Sequence, residues 1–261
     1  VGKLIAVPYH LGHRGIGTGA GPLRLLEAAG GQGIVVEVTE PAPHETSAAF
    51  AVNRALAEAV RGEPHPLILA GNCNHCVGAL AAVGEPAGII WFDAHGDFNT
   101  PETSPSGFLD GMALAIATGR CWRSLAASVP GFRPVPEEHV LLAGARDLDP
   151  AERQALESSR VMTSHASPDR LQPALDLLAR RVRRVYLHVD VDVLDPREAV
   201  VNQYATPGGI TLAQLLEAIR MVQERFEAPA AAIASYNPEC DQDGKGAAAC
   251  LAILQAFGKK N

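Results

Sequence analysis

Basic charge is scarce in this chain, and in one stretch it is missing altogether. Lys and Arg number 22 against 29 Asp and Glu, a formal net charge of -7, which leaves no basic footprint for nucleic acid or an anionic membrane. No apolar run approaches the roughly 18 residues that a bilayer span needs, and the N-terminus lacks the basic-then-apolar pattern of a signal peptide. A cytoplasmic protein is expected. The five cysteines, Cys73, Cys76, Cys121, Cys240 and Cys250, are an odd, scattered set and do not make a disulfide framework. Internal repeats, low-complexity tracts and linkers are also lacking. With 261 residues and 47% apolar content, one domain over residues 1–261 with a full core is expected.

The stretch without basic residues runs from Gly88 to Met112, where Asp93, Asp97, Glu102 and Asp110 have no local Lys or Arg to neutralise them. It opens with Gly88-Ile89-Ile90-Trp91-Phe92, an apolar run of the kind that fills a buried strand, and continues with Asp93, His95 and Asp97 at spacing two. If the backbone stays extended, all three point to one side. A second stretch, Tyr186 to Pro196, places valines at odd positions and His188, Asp190 and Asp192 at even ones. One face packs; the other carries carboxylates. Unpaired carboxylates at the end of a buried strand cost several kcal/mol each or stay protonated. Metal ions remove that cost, and Asp93, Asp97, Asp190, Asp192 and His95 are an oxygen-rich set suited to Mn²⁺-like ions about as well as to Zn²⁺.

Along the chain, short β-like runs alternate with helical patterns and glycine stops, which argues for a parallel sheet of about eight strands. Strands are expected at 3–7, 33–38, 66–70, 88–92, 139–143, near Val161, at 185–193 and at 230–234. The segment PYHLGHRGIGTGAG is too rich in glycine for regular structure and is expected to be a loop beside the site. Helices are expected from Pro22 to the stop at Gly30, at 46–61, 111–118, after Asp149-Pro150, and at 171–181, 212–226 and 246–257. The strand at 66–70 leads into Gly71-Asn72-Cys73-Asn74-His75-Cys76, a third strand end with metal-capable side chains. Ligands of open parallel sheets gather at such carboxyl ends.

Asp-Ala-His-Gly-Asp after a strand, followed by His-Val-Asp-Val-Asp-Val-Leu-Asp-Pro, resembles the two metal signatures of the arginase and agmatinase superfamily. The resemblance extends over the whole chain, through Gly21-Pro22, Asn99-Thr100-Pro101, Ser106-Gly107, the Gly-x-Arg-Asp-x-Asp-Pro-x-Glu run at 144–152, and Thr206-Pro207-Gly208-Gly209. It implies a three-layer α/β/α fold around a central parallel sheet, two divalent metal ions, Mn²⁺ above all, and a homo-oligomer, trimer or hexamer. Carried over by position, Asp93 and Asp190 bridge both metals, His95 and Asp192 complete one ion, and Asp97 binds the other. Water activated between the ions would cleave a guanidinium. Asn99, Ser104, Ser106, Asp149 and Glu152 occupy positions that hold the α-carboxylate and α-amino group of the substrate. The reading is thus a hydrolase of a guanidino or N-substituted guanidino group on an amino-acid-like small molecule, of arginine or Nω-hydroxy-arginine type.

Three positions depart from the family pattern. Where the family has Gly-Gly-Asp-His-Ser, with its His on the first metal, alignment on Gly71 and Gly78 places Cys73 at the ligand position. His75 is the competing ligand, but its side chain is expected to turn away; the alternative reading of Cys73 is a buried thiol. Asp110 replaces a proton-shuttling His, and either moves protons itself or caps the helix that begins at Gly111. Ser235 stands in place of a Glu that grips the guanidinium. A Cys ligand and a similar loop resemble the branch that hydrolyses Nω-hydroxy-arginine. Asp149 and Glu152 could also be helix-start acids. The competing class is a relative that binds a small amino-acid-like ligand without turnover.

Overall fold

In the computed structural model, which describes residues 2–39, 42, 44–85 and 87–258, eight strands join in one sheet. They are β1 (Leu4–Val7), β2 (Ile34–Val35), β3 (Leu67–Ala70), β4 (Gly88–Phe92), β5 (Val140–Ala143), β6 (Met162–Ser164), β7 (Arg184–Asp190) and β8 (Glu227–Ala234). Their order across the sheet is β2-β1-β3-β8-β7-β4-β5-β6, and all neighbours are parallel. The expected α/β architecture is therefore the observed one.

Strand composition explains why the sheet is covered on both faces. All five residues of β4 are buried, and they alternate between two apolar cores. Ile89 and Trp91 pack with Phe50, Leu56, Val77 and Leu114 on one side. Ile90 and Phe92 pack with Leu171, Leu175, Leu215 and Ile219 on the other. Burying each such side chain contributes about 1.5–3 kcal/mol, and both faces are needed because parallel sheets carry crossover helices on each side. The result is three layers.

Register then sets where function can sit. Ala234 pairs with Ala70 and with Asp190, and Phe92 pairs with Val189 and with Ala143. The carboxyl ends of β3, β8, β7, β4 and β5 thus finish at one level, and the chain leaves each of them into the same space.

Several boundaries differ from the sequence expectation. The extended reading fails beyond Phe92: β4 ends there, and Asp97 has a left-handed φ of 49°. It fails likewise at 191–193, where β7 has ended at Asp190 and Val191–Val193 forms a 3₁₀ turn. Alternation alone could not foresee that the side chains of Asp93 and Asp190 fold back to accept the backbone N–H of His95 and Asp192 at 2.7 and 2.9 Å. The glycine-rich segment expected to be irregular contains a small hairpin, Tyr9–His10 against His13–Arg14, turning through Leu11 and Gly12 at φ 47° and 87°, as a two-residue turn with positive φ requires. The helix expected to begin at 171 begins earlier, as Pro168–Leu178 with Ser167 at its N-cap; Pro173 inside it hides the pattern.

Candidate metal centre

Five strand ends deliver the site, and hydrogen bonds fix it. After β4, Asp93 accepts the indole N–H of Trp91 at 2.9 Å, and Asp93 Oδ1 lies 3.2 Å from His95 Nδ1. After β7, Asp192 accepts the backbone N–H of Ala94 at 3.2 Å and the Asn202 amide at 3.1 Å, and its Oδ2 lies 3.5 Å from His95 Nδ1. After β3, the Cys73 thiol donates to Asp190 Oδ2 at 3.0 Å. After β8, the Ser235 hydroxyl lies 3.4 Å from the same sulfur. Behind β5, Arg146 donates to the carbonyls of Asp192 and Thr206 at 2.8 and 2.7 Å, bolting the loop after β7 in place.

Among the described residues two groups of potential ligands emerge, Cys73-Asp93-His188 and Asp93-His95-Asp192, each with donor atoms within 4.8 Å of one another. They share Asp93, the arrangement two neighbouring cations would need. Asp97 adds a group that a cation would satisfy: it is 6% exposed, and its Oδ2 has no hydrogen-bond partner among the described residues. Its backbone is also left-handed, a strained conformation for a non-glycine residue of the kind found at functional sites.

Electrostatics agree. Burial, then the charges of Asp93, Asp110, Asp190 and Glu152, pushes the Asp97 carboxyl well above its ordinary range. Burial with the charges of Asp192 and Asp93 does the same to Asp190, and burial with Asp93 raises Asp192 to about 6. Burial disfavours a charged His95, but hydrogen bonding to Asp93 and the carboxylates of Asp192, Asp93 and Asp190 prevail and raise it to about 10. Acids crowded this way stay protonated or hold cations. A set of carboxylates, one imidazole and one thiol fits a pair of divalent ions.

Above this floor is a cavity of about 250 Å³. Cys73, His95, Asp97, Asp190 and Asp192 open onto it, while Asp93 is buried beneath at 1% exposure. Its walls include Asn99, Ser104, Ser106, Asp110, Asp149 and Glu152, so the residues expected to hold substrate and the metal-capable acids converge here, while His75, His188 and Glu102 do not line it. No Lys or Arg among the described residues lines it.

Asp149 and Glu152, expected on the substrate with helix-start acids as the alternative, both line the cavity. Asp149 sits at the N-cap of the helix Pro150–Glu157, but makes no side-chain cap and accepts the Asn99 amide at 3.0 Å. Glu152 accepts the Phe98 N–H at 2.8 Å. Its carboxylate occupies the space beside Gly96, where an added Cβ would lie 2.6 Å from Glu152 Oε1. Gly96→Ala is therefore expected to displace Glu152, costing about 1–3 kcal/mol through crowding and the lost bond to Phe98. Urea unfolding checks this, and an unchanged midpoint would contradict it.

Asp110 is not a helix cap. It lies in the 3₁₀ turn Asp110–Met112, and both its oxygens are engaged: Oδ2 accepts from the Asn72 amide, and Oδ1 accepts the backbone N–H and side-chain amide of Asn74 at 2.8 and 3.2 Å. Burial raises it to about 6 against these bonds. His75 is buried, and neither ring nitrogen has a partner among the described residues; burial first, then His10 and His188, lowers it to about 3. It does not line the cavity. Asn72, Asn74, Asn202, Asp147 and Tyr204 belong to the site without having been singled out for it from the sequence. Asn72 and Asn74 flank Cys73 and could have been found there, whereas nothing around Asn202 signals its role.

A family model described as Arginase family matches residues 3–258. The arginase of Bacillus subtilis (strain 168) is 31% identical over 99% of this chain and 98% of its own length, and that of Bacillus caldovelox is 35% identical over 75% and 69%. The solved native structure of the Bacillus caldovelox arginase superposes with a TM-score of 0.83 at 29% identity, over 100% of this chain and 99% of that one. An eight-stranded parallel sheet, acids gathered at its carboxyl edge and this extent of likeness place the chain in the arginase family, dinuclear-metal hydrolases of the C–N bonds of linear amidines.

Proposed function

We propose that this protein hydrolyses an N-substituted guanidino group on an arginine-like amino acid, of the Nω-hydroxy-arginine type, with two Mn²⁺-class ions held by Cys73, Asp93, His95, Asp97, Asp190 and Asp192. The observation that carries this reading is the state of Asp110. At the position where a proton shuttle is expected, the carboxylate already accepts from Asn72 and Asn74, so lending a proton to a leaving group would disrupt the loop that carries Cys73. A leaving group that needs little acid help suits such a site, and the weakly basic nitrogen of hydroxyurea is one.

The same pair of loops explains Cys73 as a ligand. Asp110 draws Asn72 and Asn74 toward the cavity, and the sulfur between them is left 3.0 Å from Asp190. Divalent ions bound here would supply the Lewis acidity that makes water a nucleophile near neutral pH. The chain's own residues do the rest. Asn99, Ser104 and Ser106 offer neutral donors to an α-carboxylate, and Asp149 and Glu152 offer charge to an α-amino group. Ser235, 4% exposed and facing Cys73, leaves more room around the guanidino nitrogens than a Glu would. Phe108, tilted against Tyr204 with ring centroids 5.7 Å apart, gives one wall an apolar surface. A cytoplasmic trimer or hexamer belongs to the same proposal.

The test is a panel of arginine, Nω-hydroxy-arginine and agmatine with the Mn²⁺-loaded protein, following urea and hydroxyurea. Nω-hydroxy-arginine is expected to exceed arginine in kcat/KM by about 100-fold or more, as when a site is built around one polar substituent. Equal turnover of arginine would refute the substrate preference. Binding without turnover of any of the three would favour a ligand-binding relative.

A further inference from the structure

Behind Cys73 lies a layer of buried aromatic side chains, His188, Trp91 and Tyr186, that are not among the proposed metal ligands. His188 is 0% exposed and does not line the cavity, yet its Nε2 is 3.3 Å from the Cys73 sulfur. Its ring stacks on Trp91 with centroids 3.6 Å apart and planes 12° from parallel. Its Nδ1 is 3.0 Å from the Tyr186 hydroxyl, which is itself fully buried at 1% exposure. Trp91 in turn donates to Asp93. One rigid layer therefore touches both Cys73 and Asp93, from beneath.

Hydrogen-bond accounting decides the direction of this chain. A buried phenol must donate its hydrogen, and Nδ1 of His188 is the acceptor within reach. That leaves the ring proton on Nε2, pointing at the sulfur. The opposite tautomer would strand the phenol hydrogen and aim two acceptors at each other's lone pairs. The Ser235 hydroxyl, able to donate or accept, lies 3.4 Å from the same sulfur, while Asp190 lies 3.0 Å away.

We propose that His188, oriented by Tyr186 and Trp91, is a positioning residue for the Cys73 side of the metal centre: its Nε2–H holds the sulfur so that a lone pair faces the carboxylates of Asp93 and Asp190. The inference rests on the reading of Cys73 as a ligand and extends it by one shell. It distinguishes His188 from a direct ligand, the role that its place beside Cys73 and Asp93 would otherwise suggest. A partner of this kind typically changes metal affinity by about 10–100-fold without removing an ion.

The test uses the protein loaded with Co²⁺, whose bond to a Cys sulfur gives a charge-transfer band in the near ultraviolet. The wild-type band should vanish in Cys73→Ser. His188→Leu should shift and weaken it and lower the affinity for one of the two ions by about 10–100-fold. His188→Gln, which keeps an N–H donor, should return both to near wild type. Tyr186→Phe removes only the hydroxyl, and should displace the band in the same direction even if His188→Leu fails to fold. A wild-type band that neither Tyr186→Phe nor His188→Leu moves would overturn this inference and leave Cys73 ligation standing. Loss of an ion in His188→Gln with Tyr186→Phe unaffected would make His188 a ligand, and overturn it too. A wild-type protein without the band would contradict Cys73 ligation itself, and this inference with it.

Discussion

Replacing Asp97 with Asn should abolish turnover and yet raise the melting temperature of the chelator-treated protein. The two effects have one cause. Asp97 is buried with an unpartnered oxygen among Asp93, Asp110, Asp190 and Glu152, and without cations each of those neighbours disfavours it. Asn is nearly the same size, carries no charge, and tolerates the left-handed φ of 49° at this position at least as well as Asp does. The metal-free variant should therefore melt a few degrees higher, about 1–2 kcal/mol at the 2–4 °C per kcal/mol common for chains of this size. Loading with Mn²⁺ should reverse the order, because the wild type gains a ligand's share of binding energy that the variant lacks. A metal contact of several kcal/mol makes the loss in kcat/KM at least about 10³-fold. Paired melting scans with and without chelator check this. A metal-free variant that melts lower than wild type would show that the acids are stabilised by something other than cations.

Stability of the metal-free protein should fall as pH rises from 5 to 8. Asp192 and Asp110 are raised from 3.8 to about 6 by burial, Asp192 also by Asp93. Asp97 and Asp190 are raised further still. Between about pH 4 and 6 these acids bind more protons folded than unfolded. They outnumber His75 and His188, which burial lowers to about 3 and which act the opposite way, so raising the pH costs stability. His95, raised from 6.5 to about 10, acts in the same direction above pH 6.5, since its stabilising charge is fully present below that value and is lost as pH climbs. Asp93 is lowered below 3.8, and its contribution is lost only in stronger acid, outside this window. Each titrating group contributes up to about 1.4 kcal/mol per pH unit. Bound cations replace these protons, and their affinity rises with pH, so the gap in melting temperature between loaded and chelated protein should widen across the same interval. Urea unfolding at pH 5, 6, 7 and 8, with and without Mn²⁺, measures it. A flat profile for the chelated protein would mean that the acids are ionised and solvated.

Much of the site could be read from local pattern because its residues sit at fixed offsets from strand ends. Asp93, His95, Asp97, Asp190 and Asp192 all lie within five residues of the ends of β4 and β7, and alternation plus a missing counter-charge was enough to single them out. Their aim was misread, since turns rather than extended backbone orient Asp97 and Asp192. What pattern could not supply was contact across the sheet. Asp110 meets Asn72 and Asn74 from a segment 36 residues away or more, Asn202 reaches Asp192, and His188 meets Cys73 across 115 residues. The Asn202 contact spans only ten residues, but the others join segments that the sheet brings together and the chain itself keeps far apart. Core strands were found wherever they were long and wholly apolar; β2 was expected at 33–38 and is the two residues Ile34–Val35, because an edge strand needs few hydrogen bonds to belong to a sheet.

On the proposed reading, two ions sit on this set of acids with Cys73 among the ligands. Elemental analysis of protein purified without chelator, repeated for Cys73→Ala and Cys73→His, tests it most directly. Close to two ions per chain in the wild type, one in Cys73→Ala and two again in Cys73→His is the predicted result. Two ions per chain in Cys73→Ala would contradict the role of the sulfur, and no bound ion even after Mn²⁺ loading would contradict the metal centre as a whole.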